Sequence, residues 1–473
     1  MNRRKFLYGA AAFASLAQAN PSPTVAIKLS QAAHDWPVIP ADFIGLSYET
    51  GQLYNPNFFS PHNHPLIDIF RQLNPHGVLR LGGHLSNITP WQGAGLDYPK
   101  QIRGVRHGIE DYWEWPLVDP TVQRNKHGMI TRKSIENLRG FLDAVDWRLI
   151  YGLNFACGSS ARGADESAAV AEIIGDRLTA FVIGNEPDGF NEDPFFRDKD
   201  YGVSQYLDEY ETWVETIRAK VPQAKFAGPG TENKVDTWVL EYARRTRGDT
   251  AFLTSHYYGM GPASDPAMTA ERLLRKNNPE LEAQIAAVNA ARRAAGGTPY
   301  RMDEGNSCFG GGRKDVSDAY ASALWAADYA LRAACAGFAG VNFHGGGVGV
   351  YTPIESSASA PAAPRPVYYG LEFAQKFVGA AIAPCSLSTS ANITAYQAST
   401  AGKPVLAFVN KGDSSVHIEL PERFAQAKGL RRWNLRGPSL GAKTGVEFGA
   451  VSTPMQNSAT EIPAYSGAIF GVD

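Results

Sequence analysis

Phe181-Val182-Ile183-Gly184-Asn185-Glu186-Pro187-Asp188 is an apolar run that ends in an amide, a carboxylate and a proline. A second stretch, Tyr300-Arg301-Met302-Asp303-Glu304-Gly305-Asn306-Ser307, is a shorter run closed by Glu304. Short apolar runs bounded by turn residues read as buried strands. With 178–186 and 299–304 go six more, at 43–49, 77–83, 148–157, 225–229, 250–258 and 338–344. Helical stretches lie between them. The clearest is 203–221, where Tyr206, Tyr210, Trp213, Val214, Ile217 and Val221 repeat at helical spacing on one apolar face. A second, at 317–336, is apolar enough to be largely buried. Eight strands, each followed by a helix or a long crossover, predict a (β/α)8 TIM barrel. A doubly wound open sheet also alternates and is the competing architecture.

The barrel predicts that functional side chains gather at the C-terminal ends of the strands. Tyr48 with Glu49, Arg80 with His84, Asn185 with Glu186, His256 with Tyr257 and Tyr258, Glu304, and His344 all fall there. Strand ends turn polar on meeting water, but that explains one or two of these and not the whole rim. The region 90–133 reads as a long insertion after the second strand.

Past residue 360 the pattern changes. Pro361-Ala362-Ala363-Pro364-Arg365-Pro366 is expected to break regular structure, and a helix at 367–378 to close the barrel. Short alternating runs follow at 393–398, 404–410, 416–420, 430–435 and 464–472. They read as a small C-terminal β-sandwich over 381–473, completed by an N-terminal strand from the segment 20–38. The barrel then occupies 39–380.

The first nineteen residues read as an address. Asn2-Arg3-Arg4-Lys5-Phe6-Leu7 is a twin-arginine pattern, followed by a short apolar stretch and the small-residue site Ala17-Gln18-Ala19. Export, periplasmic or secreted, with a mature chain from Asn20, is the expectation. No segment has the roughly 20 apolar residues a membrane span needs. At 473 residues, 44% hydrophobic and 11% aromatic, the chain has ample core-forming material. The net charge of −2 becomes about −5 without Arg3, Arg4 and Lys5, which argues against nucleic acid as a partner. Cys157, Cys308, Cys335 and Cys385 have no metal-ligand spacing, and no metal or cofactor is expected.

Two carboxylates converging on one rim suit the hydrolysis of a glycoside with retention. One protonates the leaving oxygen and the other attacks the anomeric carbon, about 5–5.5 Å away. Glu186 suits the acid/base and Glu304 the nucleophile. Asn185 can aim its amide at the sugar 2-hydroxyl, and Arg80 with a neighbouring Tyr or His can keep Glu304 ionised.

These motifs carry a resemblance. Phe43-Ile44-Gly45-Leu46-Ser47-Tyr48-Glu49, Leu79-Arg80-Leu81-Gly82-Gly83, Gly184-Asn185-Glu186-Pro187-Asp188, Ser255-His256-Tyr257-Tyr258, Glu304-Gly305-Asn306-Ser307 and Gly340-Val341-Asn342-Phe343-His344 stand in order. Together they resemble glycoside hydrolase family 79, the β-glucuronidase and heparanase-like family. The resemblance implies a barrel joined to a β-sandwich, no metal, a covalent glycosyl-enzyme intermediate, and Glu186 and Glu304 in the roles above. It also implies that Gly310, Gly311 and Tyr351 hold a sugar carboxylate, since backbone N–H groups of glycines approach an anion closely. Glu49, Arg80, His84, Asn185, His256, Tyr258 and Phe309 complete the expected substrate-binding set. Two positions depart from the family pattern. His84 stands where Asn or Thr is usual, and Phe309 where a carboxylate-contacting Tyr is common. The lost hydrogen bond to a charged group is worth roughly 1.5–3 kcal/mol, enough to change the preferred sugar.

The leading expectation is an exo-acting β-glucuronidase on a carbohydrate substrate carrying terminal glucuronic or 4-O-methylglucuronic acid. The alternatives are an endo-acting heparanase-like glycosidase on a glycosaminoglycan, which the acidic charge disfavours, and a non-catalytic glycan-binding barrel protein, which need not keep both glutamates.

Overall fold

The computed structural model of the chain describes residues 25–29, 35–92, 128–192, 196–345, 349–357, 360–400, 402–426, 429–451 and 459–472. The expected export leader at 1–19 lies outside these residues, as does most of the insertion at 90–133.

Eight parallel strands close into a barrel: β2 Ile44–Glu49, β3 Val78–Gly82, β4 Arg148–Leu153, β5 Leu178–Ile183, β6 Phe226–Thr231, β7 Phe252–Pro262, β8 Tyr300–Phe309 and β9 Gly340–Gly345. The last strand pairs in parallel with the first, Ile44 opposite Val341, which rules out the open sheet. Helices α1 His64–Leu73, α2 Arg132–Val145, α3 Ser160–Ile174, α4 Val203–Lys220, α5 Leu240–Arg245, α6 Ala270–Leu273, α7 Pro279–Ala294, α8 Tyr320–Cys335 and α9 Pro366–Gln375 connect the strands or follow them. In α4 the buried face comprises Tyr206, Leu207, Tyr210, Trp213, Val214 and Ile217, as the helical period predicts. Thr131 caps α2 by accepting from the Ser134 N–H, and Ser159 caps α3 through the Arg162 N–H.

Two readings need correction. Residues 361–366 do not simply break structure, because Ala360–Pro364 (β11) pairs antiparallel with Ile354–Ser357 (β10) in a hairpin before α9. Such a two-stranded edge tolerates proline, which needs only to sit where no ladder N–H is required. Glu304 is not at a strand end either, since β8 runs five residues further to Phe309. There it stays paired with a long β7 as far as Pro262.

A nine-stranded sheet packs beside the barrel. It comprises β1 Val25–Lys28, β12 Ala381–Leu387, β13 Ile393–Thr400, β14 Lys403–Asn410, β15 Val416–Glu419, β16 Leu430–Arg436, β17 Glu447–Ala450, β18 Ala459–Ile462 and β19 Ser466–Val472. Their order is β17-β16-β19-β14-β13-β12-β1-β15-β18. The N-terminal β1 bridges two parts of the sheet, antiparallel to β12 and parallel to β15. The sheet has its own apolar core around Leu406, Phe408, Ile418, Phe424, Ile462 and Phe470.

Helix α8 is buried nearly all round because it lies between barrel and sheet. Its Asp328 accepts hydrogen bonds from Thr394 (2.5 Å) and Tyr396 (2.6 Å) and pairs with Lys411 at 2.5 Å. Asp328 and Lys411 are both buried. Asp328→Ala strands an ammonium in the interface. Breaking a buried pair in this way is expected to lower the unfolding free energy by about 3–5 kcal/mol. A urea melt that moves by less than about 1 kcal/mol would show that water reaches Lys411 instead.

Candidate active site

The barrel brings the motif residues to one rim because parallel strands present equivalent positions in register. Ser47 on β2 faces Arg80 on β3 and His344 on β9, while His256 on β7 faces Glu304 on β8. The β7–β8 register skips one residue, since Ser255 pairs with Met302 and His256 with Glu304. Asp303 is the extra residue of this bulge, so both Asp303 and Glu304 are buried in the barrel. Past the end of β5, Glu186 adopts a left-handed backbone at φ 51°, ψ 50°. For a non-glycine residue that conformation costs on the order of 1–3 kcal/mol and persists only where surroundings hold it. The Glu186 N–H donates to the Gly230 carbonyl at 2.9 Å. The Asp188 carboxylate accepts from the N–H groups of Glu232, Asn233 and Lys234 at 2.9–3.1 Å. The ends of β5 and β6 are thereby tied together.

At the centre the Glu186 and Glu304 carboxylates and the His256 ring each place an atom within 4.8 Å of the others. Glu304 accepts from the Arg80 guanidinium and from the Tyr258 hydroxyl, the latter at 2.8 Å. His344 Nδ1 lies 3.7 Å from the same carboxylate and is held by Ser47 Oγ at 2.9 Å. Arg80 also donates to Asn185 Oδ1 (2.8 Å) and Ser47 Oγ (3.2 Å). Asn185 Nδ2 is buried and has no partner among the described residues, which leaves a donor for a ligand hydroxyl. His256 Nδ1 lies 2.7 Å from Glu186 Oε1 and links the two glutamates.

Burial alone would raise the Glu304 pKa. The charges of His344, His256 and Arg80 and the Tyr258 hydrogen bond outweigh it and hold the group well below the ordinary carboxylate range. Burial alone would lower His256, but Glu304, its hydrogen bond to Glu186 and the Asp303 charge lift it to about 9. Burial pushes Asp303 up, with Arg80 and His256 opposing. At neutral pH the centre therefore holds an ionised Glu304 beside an imidazolium. The His256 pKa is raised above its ordinary 6.5, so its contribution to stability is fully present below pH 6.5 and is lost as pH rises through about 9. The unfolding free-energy gap between wild type and His256→Gln is expected to shrink over that window, by on the order of 3 kcal/mol. Urea titrations from pH 5 to 10 measure it, and a gap that stays level would show that His256 is neutral.

The other expected residues take varied places. Glu49 is buried, and its carboxylate accepts the His84 and Leu85 N–H groups at 3.3 and 2.8 Å. It thus caps the short helix His84–Asn87 and sits 3.6 Å from His344. This explains the double glycine before His84. A Cβ on Gly82 would stand 2.2 Å from the Arg80 guanidinium carbon, and one on Gly83, at φ 71°, would stand 2.4 Å from the Glu49 carboxylate. The His84 ring lies 6.4 Å from that of Phe196. Tyr351 is buried, its ring 6.2 Å from Tyr258 and 5.9 Å from His344. Gly310 and Gly311, both at positive φ, turn the chain after β8 beneath it, with the Tyr351 N–H donating to the Gly311 carbonyl at 3.4 Å. Phe309 is 38% exposed, with its ring 6.2 Å from Tyr258.

Four residues of the centre were absent from the expected set. His344 was visible as a strand end but had no role. Ser47 and Asp303 sit inside motifs where a neighbour drew the reading. Glu232 was missed because the sixth strand was ended at Pro229, two residues short of Thr231.

Glu186, His256 and Glu304 are also a set that could ligate a metal. The donors already placed on them suit protons better. Both Glu304 oxygens accept hydrogen bonds, and Arg80 and a protonated His256 would repel a cation. All four cysteines are unpaired thiols, and buried Cys308 has its pKa raised by burial.

No family model matches the chain. It is 24% identical over 332 residues to a β-glucuronidase of Aspergillus niger, covering 63% of this chain and 55% of that protein. To a β-glucuronidase of Neurospora crassa it is 25% identical over 227 residues, covering 42% of this chain and 40% of the relative. The chain thus spans about half the length of the curated relatives it matches. Its fold matches a 4-O-α-L-rhamnosyl-β-D-glucuronidase from Fusarium oxysporum, with TM-score 0.71 and 16% identity over 95% of this chain and 100% of that one. A family 51 α-L-arabinofuranosidase from Bifidobacterium longum matches with TM-score 0.70 and 15% identity, over 96% and 100% of the two chains. The chain is thus similar in sequence to β-glucuronidases and shares its barrel-plus-sheet fold with these solved structures.

Proposed function

We propose that this chain is an exported, retaining, exo-acting β-glucuronidase that removes terminal β-linked glucuronic or 4-O-methylglucuronic acid. The observation that carries the reading is the approach of the Glu186 and Glu304 carboxylates to within 4.8 Å, with Glu304 held ionised. That separation suits direct attack by a carboxylate and leaves no room for the water that inverting enzymes place across about 6.5–9.5 Å. In the first step Glu304 attacks the anomeric carbon, the bond to the leaving oxygen breaks, and the Glu186 proton passes to that oxygen. In the second, Glu186 takes a proton from water as the water oxygen displaces the Glu304 ester. Asn185 Nδ2 is free to donate to the 2-hydroxyl. Tyr351 and the Gly310–Gly311 turn suit the sugar carboxylate, and the exposed Phe309 suits a 4-O-methyl group.

Proton NMR of the first-formed sugar from an aryl β-glucuronide tests the stereochemistry. The β anomer is expected, and initial α anomer would overturn the retaining mechanism. A panel of aryl glucuronide, 4-O-methylglucuronide, glucoside and xyloside tests the sugar. Equal or faster turnover of the neutral sugars would overturn uronate preference. Export through the twin-arginine pattern at Arg3-Arg4 predicts a mature protein starting at Asn20 outside the cytoplasm. N-terminal sequencing of the fractionated protein decides it. No helix among the described residues is long and apolar enough to cross a membrane.

A further inference from the structure

A cavity of about 490 Å³ opens beside the acid/base residue, between the end of β6, β7 and α7. His256 and Tyr258, both partners of the catalytic carboxylates, line it together with Phe309, Gln284, Glu232 and Asp236. Neither catalytic glutamate lines it, but its wall reaches Glu186 through His256, 2.7 Å from the Glu186 carboxylate, and through Glu232, which feels the Glu186 charge. Besides His256, the charged side chains lining it are acidic. One of them, Glu280, is paired with Arg275 at 3.1 Å. That leaves Glu232, half-buried, and Asp236, exposed at the mouth. Nearby Lys234 is taken up by Glu192 at 2.9 Å and by the Asp188 carbonyl at 2.7 Å. A negative group entering the cavity therefore meets carboxylates, while a neutral aromatic or a hydroxyl-bearing group meets Tyr258, Phe309 and Gln284.

We propose that this cavity is the leaving-group subsite and that Glu232 makes it select neutral or cationic aglycones over anionic ones, such as sulfated or uronate-bearing sugars. The inference rests on the proposed glucuronidase reading and narrows its substrate class. Glu232 faces Glu186 and Asp188 from the β5 end and His256 from β7. Burial, then the Glu186 and Asp188 charges, push its pKa up to about 7, with His256 opposing. The selection should therefore sharpen as pH rises through about 7.

The test compares kcat/KM for two aryl β-glucuronides, 4-nitrophenyl and a nitrophenyl bearing a carboxylate, in wild type and Glu232→Gln. The mutation is expected to raise the anionic-to-neutral ratio about tenfold at pH 8 and little at pH 5, as removal of one nearby charge implies. Asp236→Asn, at the exposed mouth, should move the ratio the same way by about twofold. Ratios unchanged at pH 8 in both variants would overturn the inference while leaving the glucuronidase reading intact. If wild type fails to hydrolyse the neutral glucuronide, the reading itself fails and takes the inference with it.

Discussion

Replacing Glu304 by alanine is expected to lower turnover of an aryl β-glucuronide by at least about four orders of magnitude, the scale on which loss of a covalent nucleophile is felt. The cations and the donor around this carboxylate favour its anion and outweigh burial. Arg80 and Tyr258 donate to its oxygens, and His344 and His256 stand within 3.9 Å. Their combined effect holds the pKa well below the ordinary range despite complete burial, so Glu304 stays charged at any working pH. The alanine variant leaves Arg80 buried without its main counter-ion, so some loss of stability is expected too. Glu304→Gln keeps the shape and separates the two effects, since it should fold like wild type and remain inactive. In the alanine variant azide should enter the vacated space, attack from the same face and yield the α-glucuronyl azide. Near-normal activity on an activated aryl glucuronide would remove Glu304 from the nucleophile's place.

How much of this was legible in the sequence depends on range. The barrel strands were readable because each is a short apolar run with a polar close, a local signal. The α4 face was readable because a buried helical stripe repeats at a fixed period. The rim positions on β2, β3, β5 and β7 were expected from one global rule, that barrel function sits at the C-terminal rim, whereas Glu304 lies five residues inside β8. What stayed hidden is non-local. The Asp303 bulge is set by the pairing of β8 with β7 and β9, and no pattern in Asp303-Glu304-Gly305 announces it. Glu232 joins the centre because Asp188, on another loop, caps its backbone. The hairpin at 354–364 was missed because its proline-rich arm lacks alternation. Glu49 was expected as a substrate ligand; that its carboxylate also accepts the His84 and Leu85 N–H groups is a role that only the folded loop creates.

Glu186→Ala is expected to divide substrates by leaving group. A general acid contributes about 10²–10⁴-fold, and only where the departing oxygen needs a proton. A 2,4-dinitrophenolate leaves unaided, so its kcat/KM should fall by less than about tenfold, while an alkyl or sugar aglycone should lose about 10³-fold or more. The second step needs Glu186 as base whatever the aglycone. With the activated substrate kcat should therefore drop and KM drop with it, as the glycosyl-Glu304 ester accumulates behind a burst of phenolate. Azide, which needs no base, should restore kcat and give the β-glucuronyl azide, opposite in configuration to the Glu304→Ala product. The two anomers together assign the two carboxylates without reference to any relative. Equal losses on good and poor leaving groups would instead make Glu186 a positioning residue. In that case the left-handed turn at Glu186 and its 2.7 Å contact with His256 would serve to hold the imidazolium beside Glu304.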